Sequence, residues 1–194
     1  MPARIAPVHP PYSEAVDAAL APMTPPGIAP IGLFRLFARN LPMTRAMQGW
    51  GGYELGRNLS LSLREREIVI DRTCARCGCE YEWGVHVMVF AERAALTRDQ
   101  VASLTHGSPG DPCWSADRER LLIAAVDSLH DTSDIDDVLW ESLAAAFGEQ
   151  QLLDLLLLCG WYHAIAFAAR ATRLPLEPGA PGFADIDSTP GRRR

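Results

Sequence analysis

The stretch from Arg64 to His86, REREIVIDRTCARCGCEYEWGVH, decides the fold. Just ahead of it, Ser62 and Glu65 stand at capping-box spacing, in which the serine accepts from a free N–H and the glutamate reaches back. The helix that follows runs through Ile68, Val69 and Ile70 to about Arg76, and Gly78 is a natural residue to end it. A second helix is predicted from Glu80 to Ala95. Two helices joined by a tight glycine turn, with no strict alternation of polar and apolar residues, point to helical architecture.

Working outward, the same signals recur. Ile31–Asn40 is apolar at helical spacing and is stopped by Pro42. A further helix begins near Met43, weakened in its middle by Gly49, Gly51 and Gly52. Thr97 and Gln100 form another capping box. Ala116–Leu129 is amphipathic, Asp134 starts a helix that Gly148 ends, and Glu149–Thr172 is the last and longest. The expected fold is all-α, a single helical domain of about seven or eight helices. Its predicted organisation is a proline-rich N-terminal arm (1–30), a helical domain (31–177) and a flexible C-terminal tail (178–194). Eight of the 15 prolines fall in the first thirty residues, leaving room for at most a short helix from Ser13 to Leu20.

Composition narrows the function. Of 194 residues, 48% are hydrophobic, and all 18 basic residues are arginine. Without lysine there is no Schiff base and no P-loop lysine. A net charge of −6 with scattered arginines argues against nucleic acid. Asp154 and His163 interrupt the most apolar run, Leu152–Ala169, so no membrane role is expected, and no secretory leader is seen. Five cysteines, three of them within six positions, do not make a secreted disulfide framework. A cytoplasmic location follows as the expectation.

The chemistry concentrates in the opening stretch. Glu67 and Cys74 are seven apart on one helix face with Asp71 between them, and Cys77 lies three beyond Cys74. Cys79 starts the next helix, where free N–H groups and the dipole favour a thiolate. Glu82 and His86 share its face one and two turns on. Glu67, Cys79, Glu82 and His86 can therefore converge between the helices and exchange protons or activate a nucleophile. Glu67 in RERE also fits a solvated charge run, and Cys74 and Cys77 also fit core filler. Tyr81 and Trp83 are expected to pack or line the pocket. His163, on an apolar helix, fits a satisfied core histidine or a residue entering the cleft. His9, His106 and His130 look like surface or loop residues, and Cys113 and Cys159 show no partner. With His86 the only histidine near the cysteines, no metal and no cofactor are expected.

At this point the chain resembles the carboxymuconolactone decarboxylase and alkylhydroperoxidase D-like family. The likeness runs from LFRLFARNLP (33–42) through LSLREREIVIDR (61–72) and GCEYEWGVH (78–86) to DRERLLIAAVDSLHD (117–131) and LLDLLLLCGWYHAIAF (152–167). Glu67, Cys79 and His86 match its spacing of glutamate, helix-initial cysteine and histidine. The resemblance implies an all-α fold that assembles as dimers, trimers or hexamers. Peroxidase members carry C-x-x-C-x-x-x-H, whose second cysteine attacks the peroxide. Here Glu82 occupies that position, and the Cys74–Cys77 pair lies five residues out of register on the preceding helix. For decarboxylase members the resemblance implies cofactor-free loss of carboxylate from an unsaturated lactone acid. Three readings follow. In the first, Glu67 and His86, assisted by Glu82, perform acid–base chemistry on a small carboxylated lactone or ring acid, with Cys79 near the substrate. In the second, Cys79 is a peroxidase thiol resolved by Cys74 or Cys77. In the third, the chain is a non-catalytic helical assembly protein. The apolar Leu152–Leu158 stripe adds an expected homo-oligomer contact.

Overall fold

In the computed structural model, residues 2–186 are described, and among them there are nine α-helices, two 3-10 turns and no strand. The helices are α1 (Glu14–Leu20), α2 (Gly32–Phe37), α3 (Leu41–Glu54), α4 (Leu63–Arg76), α5 (Glu80–Phe90), α6 (Arg98–His106), α7 (Asp117–Thr132), α8 (Asp137–Ala146) and α9 (Glu149–Thr172). The helix in the arm, α1, takes the count beyond seven or eight; its Ala19 and Leu20 are buried, so it is part of the folded body.

Helix α4 is the hub. It packs against α5, α6, α7 and α9, and the unbroken run Arg66–Cys74 is buried. A helix enclosed on all sides has no solvent face, so RERE is not a solvated charge run. Arg72 lies inside and satisfies its fork with Asp127 of α7 (2.7 and 2.8 Å) and the carbonyls of Leu104 and Gly107 (both 3.1 Å). The Ser62–Glu65 box forms as predicted. At the other end Gly78 takes φ +62°; its N–H donates to Ala75 O (2.9 Å) and that of Cys79 to Cys74 O (2.8 Å). These paired bonds are a Schellman closure, which turns the chain directly into α5.

Three sequence expectations change. Helix α5 ends at Phe90 rather than Ala95, because Arg64 Nη1 caps the carbonyls of Ala94 (3.1 Å) and Ala95 (2.6 Å) while Ala95 turns left-handed at φ 52°. Helix α3 runs unbroken past its glycines, with the Trp50 ring packed at a tilt against Trp161 of α9, centroids 4.9 Å apart. The stretch expected to be a flexible tail is docked as far as residue 186: Phe183 N–H donates to Glu80 Oε1 (2.7 Å) and its ring meets Trp83 edge-on at 5.0 Å. The remainder, 187–194, lies outside the described residues. Helix α9 is long and apolar enough to cross a membrane by length and composition, yet half of that window is buried inside the bundle.

Gly84 shows how close the docked segment lies, since a Cβ there would sit 2.5 Å from the Pro181 carbonyl oxygen. Gly84→Ala must push residues 180–186 off α5. A loss of about 1–3 kcal/mol is expected, which at about 2–4 °C per kcal/mol lowers the melting temperature by several degrees. Proteolysis should accelerate within the same segment; an unchanged melting curve and cleavage rate would contradict the docking.

Candidate active site

The facing sides of α4 and α5 bury an ionic cluster in the core. Glu67 is fully buried; its Oε1 accepts from Arg66 Nε at 2.7 Å and its Oε2 meets His86 Nδ1 at 2.8 Å. The other ring nitrogen, Nε2, lies 3.0 Å from the Tyr162 hydroxyl of α9 and 3.5 Å from Glu82 Oε1. Burial favours the neutral imidazole, but hydrogen bonding and charge from Glu67 and then Glu82 outweigh it and push the His86 pKa up to about 10. The facing carboxylates thus favour the charged imidazolium, with an oxygen within reach of each ring nitrogen. The Arg66 guanidinium lies over the Phe90 ring at 5.1 Å, so the Glu67 carboxylate is gripped by two cations from opposite sides.

Asp71 stands one turn beyond Glu67. It is 1% exposed, and neither carboxyl oxygen has a hydrogen-bond partner. Burial, with the Glu67 charge added, raises its pKa well above the usual carboxylate range, which favours the neutral acid. The second oxygen of Glu82 is likewise buried without a partner. The cluster thus holds acid and base forms side by side, the arrangement that proton transfer requires.

The thiols behave differently from the sequence expectation. Cys79 does sit at the head of α5, but it is fully buried, and burial pushes its pKa up to about 12. The Glu82 backbone N–H acts in the opposite sense and does not overcome burial, to which the Glu82 carboxylate adds. The helix N-terminus therefore fails to make a thiolate here. Cys74 is also fully buried and raised well above the usual thiol range, first by burial and then by Cys79.

Of the predicted site residues, Glu67, Glu82 and His86 come together, with Cys79 and Cys74 in the same core. Tyr81 packs: its hydroxyl donates to Glu177 Oε1 (2.5 Å) and accepts from Leu33 N–H (2.9 Å), tying α5 to α2 and to the segment after α9. Trp83 faces Phe183. His163 and Cys77 lie apart from the Glu67–His86 pair, in a cleft between α7 and α9 that also holds His130. His130 is therefore not the free surface residue the sequence suggested. Arg66, Asp71 and Tyr162 complete the buried cluster. Asp71 was legible from its shared face with Glu67, whereas Tyr162 gave no signal beyond its neighbour His163.

Because His86 is raised above its ordinary 6.5, its stabilising contribution is complete below that pH and is lost as pH rises toward 10. Urea unfolding at pH 7, 8 and 9 should lose about 1 kcal/mol per pH unit from this group. His86→Gln should flatten that slope; equal slopes in both proteins would contradict a buried imidazolium.

Comparison with known proteins bears on the same region. Residues 42–110, which contain α4, α5 and the turn between them, match the model of the carboxymuconolactone decarboxylase family. The fold is similar to the crystal structure of an uncharacterized peroxidase-related protein from Silicibacter sp. TM1040, at 16% identity and a TM-score of 0.74, covering 95% of each chain. It is also similar to a protein of unknown function from Agrobacterium tumefaciens, suggested to be an antioxidant defence protein AhpD. That match has 17% identity and a TM-score of 0.66, and covers 73% of this chain and 95% of that one. No curated protein sequence matches the chain.

Proposed function

We propose that this chain, whose residues 42–110 match the model of the carboxymuconolactone decarboxylase family, is an enzyme of cofactor-free acid–base chemistry. Its substrate is a small carboxylated lactone or related ring acid, and its reaction is loss of the carboxylate. The observation that carries this reading is the buried His86 ring, held by Glu67 at 2.8 Å and faced by Glu82 at 3.5 Å, an arrangement that favours its charged form. Decarboxylation leaves a carbanion-like centre that must be stabilised and then protonated. A cation in a dry site stabilises that charge far better than one in water, and His86 can also deliver the proton. Glu67 holds the ring in place and keeps it charged, while Glu82 assists as the second carboxylate. Cys79 lines the site as a neutral thiol. A cytoplasmic location accompanies the reading.

One observation favours a second reading. Cys74 and Cys79 share the core, and the Cys79 charge adds to burial in raising the Cys74 thiol, while one structural relative is described as peroxidase-related. A peroxidase would use Cys79 for attack and Cys74 for resolution, with Cys79 deprotonated when the site opens. Cys77 fits this role less well because its sulfur faces His130 at 3.9 Å.

The two readings separate in one experiment on the wild type, His86→Gln and Cys79→Ser. Each is assayed for carbon dioxide release from carboxylated butenolides and, after reduction, for disulfide formation with hydrogen peroxide. The acid–base reading expects a loss of about 10²-fold or more in His86→Gln and only a modest change in Cys79→Ser. A fast Cys74–Cys79 disulfide that Cys79→Ser abolishes, without carbon dioxide release, would overturn it.

The proposal extends to self-association through the outer edge of α9, where Leu153, Leu157 and Phe167 are 61%, 53% and 67% exposed. Sizing chromatography should show the wild type eluting as an oligomer and the Leu153→Glu/Leu157→Glu double variant as a smaller species. A wild type that elutes as a monomer at micromolar concentration would contradict it.

A further inference from the structure

The cleft between α7 and α9 has a volume of about 620 Å³, and one wall carries three side chains with metal-ligand chemistry. Cys77 caps α4 and projects its sulfur to 3.9 Å from His130 Nδ1. His130 Nδ1 in turn lies 3.1 Å from His163 Nε2, and the three donor atoms all fall within 4.8 Å of one another. For a tetrahedral zinc site, bond lengths of about 2.0–2.1 Å to nitrogen and about 2.3 Å to sulfur place two nitrogens roughly 3.3 Å apart. The same lengths place a sulfur and a nitrogen roughly 3.6 Å apart. The His130–His163 and Cys77–His130 edges, 3.1 and 3.9 Å, are close to these values.

The tautomer of His163 is fixed as well. Its Nδ1 lies 2.8 Å from the Cys159 carbonyl oxygen, which can only accept, so Nδ1 carries the proton and Nε2 presents a lone pair to the cluster. Such an outer hydrogen bond is what orients a ligating histidine. The two nearby arginines are committed elsewhere: Arg170 Nη1 to the Cys77 carbonyl at 2.6 Å, and Arg76 to Asp127 and Asp131.

We propose that Cys77, His130 and His163 form a binding site for a first-row transition metal ion of the zinc class, with its fourth position open to the α7–α9 cleft. Three protein ligands and one open position are the coordination of a catalytic rather than a structural zinc site. The cationic cleft rim, Arg76 and Arg170, suits an anionic fourth ligand such as hydroxide or a carboxylate. The site is distinct from the Glu67–His86 pair, and its existence does not depend on the acid–base reading. It also assigns Cys77 a role other than disulfide partner of Cys79.

The test is a titration of the chelator-treated, reduced full chain with cobalt(II), followed by displacement with zinc(II). One equivalent should bind, with the intense visible bands of tetrahedral cobalt and a thiolate-to-cobalt charge-transfer band. Cys77→Ser should remove the charge-transfer band. His130→Asn and His163→Gln should each weaken binding at least about ten-fold, and Cys79→Ser should leave all of it in place. Helical circular dichroism of each metal-free variant confirms that it is folded. Absence of saturable binding at micromolar metal would overturn the site, as would binding that the three ligand variants leave unchanged or that Cys79→Ser abolishes.

Discussion

A protonated imidazole in the middle of a helical core is costly unless its charge and both its N–H groups are matched, and meeting that demand organises this molecule. His86 of α5 meets it with Glu67 of α4 on one nitrogen, and with Tyr162 of α9 and Glu82 on the other. Glu67 in turn needs the Arg66 guanidinium, which Phe90 covers. Five side chains from two helices and one from a third must therefore arrive in register. The Schellman turn at Gly78 sets that register, because it fixes where α5 begins relative to the end of α4.

The same demand explains why α4 is enclosed. An ion pair at the bundle surface would be screened and of little consequence. Surrounded by α5, α6, α7 and α9, it sits in a medium where charge acts strongly and where removing one partner leaves the other exposed to the full cost of burial. Burial also separates the fates of the acidic groups nearby. On its own it would neutralise the His86 imidazole, and the facing carboxylates reverse that, while it drives Cys79, Cys74 and Asp71 toward their neutral forms. The same dry core thus favours a charged His86 beside its carboxylates and disfavours a thiolate at Cys79 or Cys74.

The helical architecture was legible from capping boxes and glycine stops: Ser62–Glu65, Thr97–Gln100 and Gly78 all act as their residue types predict. The Glu67–His86 contact was legible too, from positions on facing sides of one turn. What local pattern did not carry was enclosure. RERE looks like a solvated run until three further helices cover it, and a helix-initial cysteine looks reactive until it is buried. Tyr162, His130 and His163 lie more than forty residues from the segment they serve, on helices whose rotation is set by packing alone. The docking of 180–186 was hidden for a related reason, since proline and glycine signal an absence of helix but not an absence of contact.

The central claim, a His86 imidazolium maintained by Glu67, is most directly tested by following the His86 ring protons by nuclear magnetic resonance from pH 5 to 11 in the wild type and in Glu67→Gln. The account predicts no titration of His86 through neutral pH in the wild type, a midpoint near 10, and a fall of that midpoint in Glu67→Gln. A wild-type midpoint at or below the ordinary histidine value, unmoved by the substitution, would contradict it.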